Sequence, residues 1–368
     1  MKILISTDQI YLHGGIEKVM STKVNYWVDK EEHEVWVMTT EQEGNPPCYP
    51  ISPKVHLIDL KVNYNRSKSY FSLENLRKIP RHYFSQKRNI KQIKPDVIIS
   101  PNFNFDHYWL PFIKGKAKLI KERHGSRYFE LEGRKKASIL QKLKFRFHDW
   151  IDSLYHHIVV LNEDEKKYVK SENVIVIPNP IEPSHFKANL ASKKIIAAGR
   201  ISPVKGFDQL IKAFESIHFE FPDWELHIYG QDYLGTQDKL QHYIDSHKLS
   251  DAIKFKGSVD NLTEVMQDYS IYAMTSITEC FPMVLLEAKS VGMPIISYDC
   301  PNGPRNIIHN NVDGIVVENQ NIQKFSMNLK SLMKEEEIRC QFGKEANKDV
   351  SQYYTIEIMK MWSNLLAL

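Results

Sequence analysis

Short apolar, β-rich runs recur along the whole chain, and helical patterns separate most of them. In the first half they fall at 2–6, 35–39, 55–60, 96–100, 118–122, 157–161 and 174–177. In the second half they fall at 194–198, 225–229, 253–256, 271–275, 294–297 and 314–317. Continuously apolar strands with helical crossovers are the mark of parallel sheets buried on both faces. The set occurs twice. This predicts an α/β chain of two Rossmann-like, doubly wound domains facing across a cleft. Prolines 178, 180 and 183 crowd one short stretch, where they end regular structure and stiffen a linker. The expected domains are therefore 1–178 and 179–354. The last stretch, 355–368, carries Ile356, Ile358, Met359, Met361, Trp362, Leu365 and Leu366. It reads as a terminal helix that needs cover, expected from the first domain.

Composition bounds this picture without changing it. At 368 residues the chain exceeds one ordinary α/β core, and 42% hydrophobic with 26% charged residues is normal for a globular protein. No apolar run reaches the roughly 18–20 residues of a membrane span. The start, Met1-Lys-Ile-Leu-Ile-Ser, lacks the long apolar region of a cleavable signal. Cys48, Cys280, Cys300 and Cys340 form no C-x-x-C and read as reduced thiols, so a cytoplasmic location is expected. Charge is more telling. Residues 1–180 hold 30 Lys and Arg against 21 Asp and Glu, while 181–368 hold 19 against 24. A basic half joined to an acidic half directs the first half toward an anionic surface or substrate.

Four constellations could carry chemistry. Glu279 and Glu287 stand eight residues apart, slightly over two helical turns, in T-E-C-F-P-M-V-L-L-E-A-K-S. With Glu279 in a loop and Glu287 inside the helix, Phe281, Pro282, Met283 and Val284 mark a helix entry where the unpaired N–H groups of the non-proline residues favour an anion. Carboxylates for hydroxyls and amides for phosphate suit a nucleotide sugar. After the first strand of the second half comes Gly199-Arg-Ile-Ser-Pro-Val-Lys-Gly206. Arg200 and Lys205 there could clamp a diphosphate at a strand's carboxyl end, where open α/β sheets bind ligands. Gly14 and Gly15 follow the first strand and would let a ligand approach backbone, although an ordinary tight turn explains them equally well. His124-Gly125 follows another first-half strand; a lone histidine is more often structural, yet this one lies at the ligand-binding edge. A further loop, Pro301-Asn-Gly-Pro-Arg-Asn306, could bring Arg305 and Asn306 to sugar hydroxyls.

In this order the motifs resemble those of the retaining glycosyltransferases of family 4, which have the GT-B fold. The matching residues are Gly14-Gly15, His124, Pro178-Asn179, Gly199-Arg200 with Lys205-Gly206, and Glu279-x7-Glu287. Each is weak alone; the ordered set spans nearly the whole chain. The segment Cys300-Pro-Asn-Gly-Pro304 more loosely resembles members that extend lipid-linked oligosaccharides. The resemblance implies a hexose or N-acetylhexosamine moved from a UDP-sugar to a polyprenyl-diphosphate-linked glycan, in bacterial surface polysaccharide or glycoprotein glycan assembly. It implies catalytic roles for His124, Arg200, Lys205 and Glu279, with Glu287 on the ribose and the amides after Phe281 on phosphate. Loops near Gly230, Lys256 and Val259 would meet the base. Asn306 departs from the glutamate common at that place. No metal is expected, because Arg200 and Lys205 would take its part.

The basic half also has a distinct texture. Residues 61–94 hold ten Lys and Arg, including Arg77, Lys78 and Arg81, against one acid, Glu74. Residues 133–157 set Arg134, Lys135, Lys136 and Lys142 among Ile139, Leu140, Leu143, Phe147 and Trp150. A basic amphipathic helix suits an anionic membrane surface, here the inner face of the cell membrane, and capture of a lipid-linked acceptor. An ordinary solvated helix face is the plainer reading. The basic segments match no nucleic-acid module, so no nucleic-acid partner is expected. Two other classes stay open: a nucleotide-sugar epimerase of the same architecture, and a non-catalytic sugar- or anion-binding protein.

Overall fold

The computed structural model describes residues 1–101 and 104–367, with Glu132 described in its backbone alone. It divides into two compact units, Met1–Pro180 with Ile358–Leu368, and Ile181–Glu357.

In unit 1 the order is β1 (Lys2–Thr7), α1 (Gly15–Asp29), β2 (Glu34–Thr39), β3 (His56–Asp59), α2 (Leu73–Leu76), α3 (Ile79–Ile93), β4 (Val97–Ser100), α4 (Leu110–Ile113), β5 (Lys118–Arg123), α5 (Tyr128–Lys135), α6 (Ile139–Ser153), β6 (His157–Val160) and β7 (Val174–Val176). The strands form one parallel sheet in the order β3-β2-β1-β4-β5-β6-β7. Side chains alternate across it, as the period of two requires. Ile3 and Ile5 enter one core with Val24 and Trp27 of α1, while Leu4 enters the other with Ile90, Leu110 and Ile151 of α3, α4 and α6.

Unit 2 runs β8 (Lys194–Ala198), α7 (Phe207–His218), β9 (Glu225–Tyr229), α8 (Thr236–Ser246), β10 (Ile253–Gly257), α9 (Leu262–Met266), β11 (Ile271–Met274), α10 (Met283–Ser290), β12 (Ile295–Tyr298), β13 (Gly314–Val317), α11 (Ile322–Lys334) and α12 (Glu336–Asp349). Its sheet is also parallel, in the order β10-β9-β8-β11-β12-β13. The closing helix α13 (Thr355–Ala367) sends Ile358, Met359, Trp362, Leu365 and Leu366 into the unit 1 core. Trp362 meets Trp27 edge-on at 5.9 Å.

Each of the thirteen predicted runs contains a strand. The basic stretch 133–157 differs from the single amphipathic helix expected. It is broken between α5 and α6, because Ser138 starts a new helix with a reciprocal cap. The Ser138 hydroxyl accepts from Gln141 N at 3.4 Å, and the Gln141 side chain accepts from Ser138 N at 2.8 Å.

Candidate active site

In unit 2, connections leave β8 and β11 in opposite directions, so a crevice opens outside their carboxyl ends. The loop after β8 is shaped by close backbone contact. Gly230 lies against the Gly199 carbonyl and leaves no room for a Cβ. Gly206 has φ +63° and faces the Thr275 carbonyl equally closely. Thr275 Oγ1 donates to Gly206 O at 2.8 Å, which ties the β8 and β11 loops together. The stem of Lys205 passes over Gly199, and its ammonium reaches Glu279 Oε1 at 2.6 Å. Arg200 is exposed, with its guanidinium 4.7 Å from the Tyr233 ring centre. Among the described residues, neither a hydrogen bond nor an ion pair engages it. Two cations and a carboxylate thus gather where the fold opens.

Glu279 precedes α10, and Glu287 is buried in that helix's second turn. The helix begins after Pro282 with no side-chain cap, so the half-buried Met283 and Val284 start a turn whose amides are open to an anion. Phe281 is buried and meets Tyr353 at 5.8 Å. Two residues that sequence reasoning missed complete the setting. The Tyr272 hydroxyl donates to Ala198 O at 3.1 Å; burial, and then the charges of Glu287 and Glu279, push its pKa up. Burial also pushes the Cys300 thiol up, helped by Glu279 and opposed by Lys205. The charge of Glu279 acts on both groups. Only their apolar-run or loop context was visible beforehand.

Other candidates sit elsewhere. Lys256 and Val259 are exposed at the far end of β10, two strands and roughly 10 Å from β8. Arg305, read as a sugar contact, turns instead to Asp299, with Nε 2.7 Å from Oδ1. Asn306 spends its amide on Asn302 O at 2.7 Å, closing its own loop. That loop matters through Gly303, which packs on the Glu279 Cβ and on Pro282.

In unit 1, His124 follows β5 with its ring almost covered. Its Nε2 lies 3.0 Å from Glu122 Oε2, while Glu122 Oε1 accepts from Lys23 Nζ at 2.5 Å. Lys23, on α1, is 2% exposed, and its ammonium sits 4.1 Å from the Trp362 ring centre. Burial alone would raise the Glu122 pKa. Lys23 and the His124 hydrogen bond outweigh it and hold the carboxyl at about 2. Nε2 facing an ionised Glu122 is a donor in that contact, and Nδ1 has no partner among the described residues.

A pH prediction follows. A carboxylate whose pKa is lowered on folding stabilises the fold above its unfolded value and loses that contribution as pH falls. The stability from Glu122 is expected to be full above about pH 4.5 and to vanish toward about pH 2. Glu122→Gln should remove this part of the acid-unfolding profile; an unchanged profile by circular dichroism would refute the assignment.

The Gly14-Gly15 turn, where a ligand was expected to approach backbone, is covered by a side chain of its own helix. The Glu17 carboxylate folds back over it, so any side chain at Gly14 would strike it. Gln9 Nε2 donates to Glu17 Oε1 at 2.6 Å. An anionic ligand here would meet a carboxylate, whereas a hydroxyl would find an acceptor.

The basic residues of this half differ in exposure and in what holds them. Arg134 is held within unit 1, with Nη2 2.7 Å from Glu130 Oε1 and 2.6 Å from Asp149 Oδ1, which removes it from the proposed surface. Lys78 donates to Asn63 O. Arg77, Arg81, Lys135, Lys136 and Lys142 are exposed. So is the apolar side of α6, with Ile139 78% and Leu140 79% exposed.

Comparison with known proteins finds two family models in tandem. Residues 13–185 match "Glycosyltransferase Family 4", and residues 180–349 match "Glycosyl transferases group 1". An uncharacterized glycosyltransferase of Haemophilus influenzae is 26% identical over 96% of each chain. The amylovoran biosynthesis glycosyltransferase AmsD of Erwinia amylovora is 28% identical over 99% of each. Among solved structures, Anabaena Alr3699/HepE in complex with UDP superposes with a TM-score of 0.77 at 16% identity, over the full length of both chains.

Proposed function

Because the chain is a glycosyltransferase of the GT-B fold, we propose that it transfers a hexose or N-acetylhexosamine, with retention, from a UDP-sugar to a hydroxyl of a polyprenyl-diphosphate-linked glycan. The observation that carries this reading is the Lys205–Glu279 pair beside the uncommitted Arg200, at the carboxyl ends of β8 and β11. The UDP named with the Anabaena protein and the polysaccharide named with AmsD support the donor and the pathway class.

The chemistry follows from charge. As the bond between the anomeric carbon and the diphosphate oxygen breaks, negative charge grows on the diphosphate. Arg200 and Lys205 stabilise it, and cations already in place at developing charge are usually the largest catalytic term. No metal is assigned a part. Glu279 releases part of its hold on Lys205 and accepts from sugar hydroxyls, Glu287 from the ribose. The acceptor oxygen attacks the face that the diphosphate leaves, and its proton passes to the departing phosphate oxygen.

A panel of UDP-sugars against polyprenyl-diphosphate-linked acceptors tests this, with UDP release as the readout. Acceptor-dependent release is expected. Conversion of the sugar without acceptor would replace transfer by epimerisation, and no turnover with any donor would leave a binding protein.

We assign the exposed basic and apolar side of α6 to the inner membrane face. No helix among the described residues is long and apolar enough to cross a membrane. Each basic side chain near an anionic surface contributes about 1 kcal/mol. Co-sedimentation with vesicles should therefore rise steeply with their phosphatidylglycerol fraction; sedimentation independent of that fraction would refute the attachment.

A further inference from the structure

At the end of the unit 1 sheet opposite His124, a cavity of about 800 Å³ opens between the end of α3 and the connection from α4 to β5. Its lining includes Asp96 and Lys118, at the amino ends of β4 and β5. Arg123 closes β5 at the other edge, roughly 17 Å along the strand. The cavity is therefore separate from His124 and from the candidate donor site of unit 2.

Six lysines surround it: Lys87, Lys91 and Lys94 from α3 and its end, and Lys114, Lys116 and Lys118 from the connection. Asp96 is the acid in the lining, and its Oδ2 already accepts from Lys2 N at 2.7 Å. Lys114 donates to Ala117 O at 3.0 Å, Lys118 to Leu366 O at 3.5 Å, and Lys87 lies over the Tyr83 ring at 5.6 Å. The side chains of Lys91, Lys94 and Lys116 have neither a hydrogen bond nor an ion pair among the described residues. Complementing the carbonyl end of α3 takes one or two cations, so the group carries an excess. Its field reaches the neighbouring histidines. After burial, the charges of Lys114 and Lys118 push the His156 pKa down, and Lys118 does the same at His157.

The floor is apolar, made by Ile90, Pro95 and Ile113. At the rim stands Phe112, 62% exposed, whose ring meets Trp150 of α6 at 6.1 Å. Cations around an apolar floor suit a ligand that joins a phosphate to a hydrocarbon or glycerol part.

We propose that this cavity is a second ligand site, distinct from the donor crevice, that binds the phosphate group of a glycerophosphate-type ligand. The ligand can come from a phospholipid headgroup or from free phosphate compounds, and the proposal needs neither the donor nor the acceptor assignment.

The test titrates the full chain with monomeric dihexanoyl phosphatidylglycerol, with glycerol 1-phosphate and with inorganic phosphate, by calorimetry. Lys91→Glu, Lys94→Glu and Lys116→Glu are combined in one variant, and Lys239→Glu, Lys344→Glu and Lys348→Glu, at exposed positions of unit 2, in another. One saturable site is expected, weakened at least tenfold in the first variant and less than twofold in the second. Tighter binding of the short-chain lipid assigns a headgroup; equal binding of inorganic phosphate assigns a free source. Absence of saturable binding to all three ligands, or equal weakening in both variants, overturns the site. UDP is titrated into the same samples. Lost UDP binding by the unmodified chain would defeat the donor reading while leaving the cavity result intact.

Discussion

Lys205→Ala is expected to lower kcat by 100- to 1000-fold, about 2.7–4 kcal/mol of barrier, the usual cost of removing one preorganised donor from developing negative charge. The structure supplies the reason for so large an effect from one flexible side chain. The lysine stem is laid over Gly199, and its ammonium is held by Glu279 at 2.6 Å before any substrate arrives. Little reorganisation is left for the transition state. KM for the UDP-sugar should change less than kcat, because the charge that Lys205 meets is greatest as the bond breaks. Steady-state UDP release with saturating acceptor measures this. A loss below tenfold in a folded variant would remove Lys205 from the leaving-group role. Glu287→Ala, by contrast, should act mostly on KM.

Lys289→Met is expected to lower stability by about 3–5 kcal/mol, the cost of leaving a buried charge without its partner. Lys289 lies two residues after Glu287 and is 0% exposed. Its Nζ donates to Ile307 O at 2.7 Å, to Asp313 Oδ2 at 2.8 Å and to Asp349. With His309, these two aspartates form a set that could ligate a metal, but the lysine ammonium already contacts both carboxylates and balances one of the two charges. The same contact ties α10 to the loop whose Gly303 packs on Glu279, so it also steadies the candidate site. In a unit of this size the thermal midpoint should fall by roughly 6–20 °C. A shift under 2 °C by circular dichroism would show that the network carries little stability. Adding Asp313→Asn should recover part of the loss, since it removes the uncompensated charge.

How much of this was legible depended on the range of the interactions involved. Strands β4 and β11 were visible because both their faces are buried, which makes 97–99 and Ile271–Met274 continuously apolar in sequence. Gly199, Gly206 and Glu279 were visible because loop and helix-entry chemistry is written within a few residues. The Lys23–Glu122 pair was not, because its members are 99 residues apart and nothing local distinguishes a buried lysine from a solvated one. Arg134 misled for the same reason. It reads as one cation of a basic run, yet Asp149, fifteen residues on, claims it. Arg305 and Asn306 had the right composition for a sugar contact, but nearby acceptors at Asp299 and Asn302 took them first.

The sequence by itself determined the α/β class, the doubling of the parallel sheet and the glycine loops at the strands' carboxyl ends, since these rest on periodicity and on backbone demands that single residues announce. Tertiary structure alone decided which charges are spent and which remain free. Lys205 and Glu279 became a pair, Glu122 became the anion that orients His124, and six lysines from two segments came to share one cavity. Electrostatic partnership depends on distance in space and on burial, and a parallel sheet brings together residues that the chain keeps tens of positions apart.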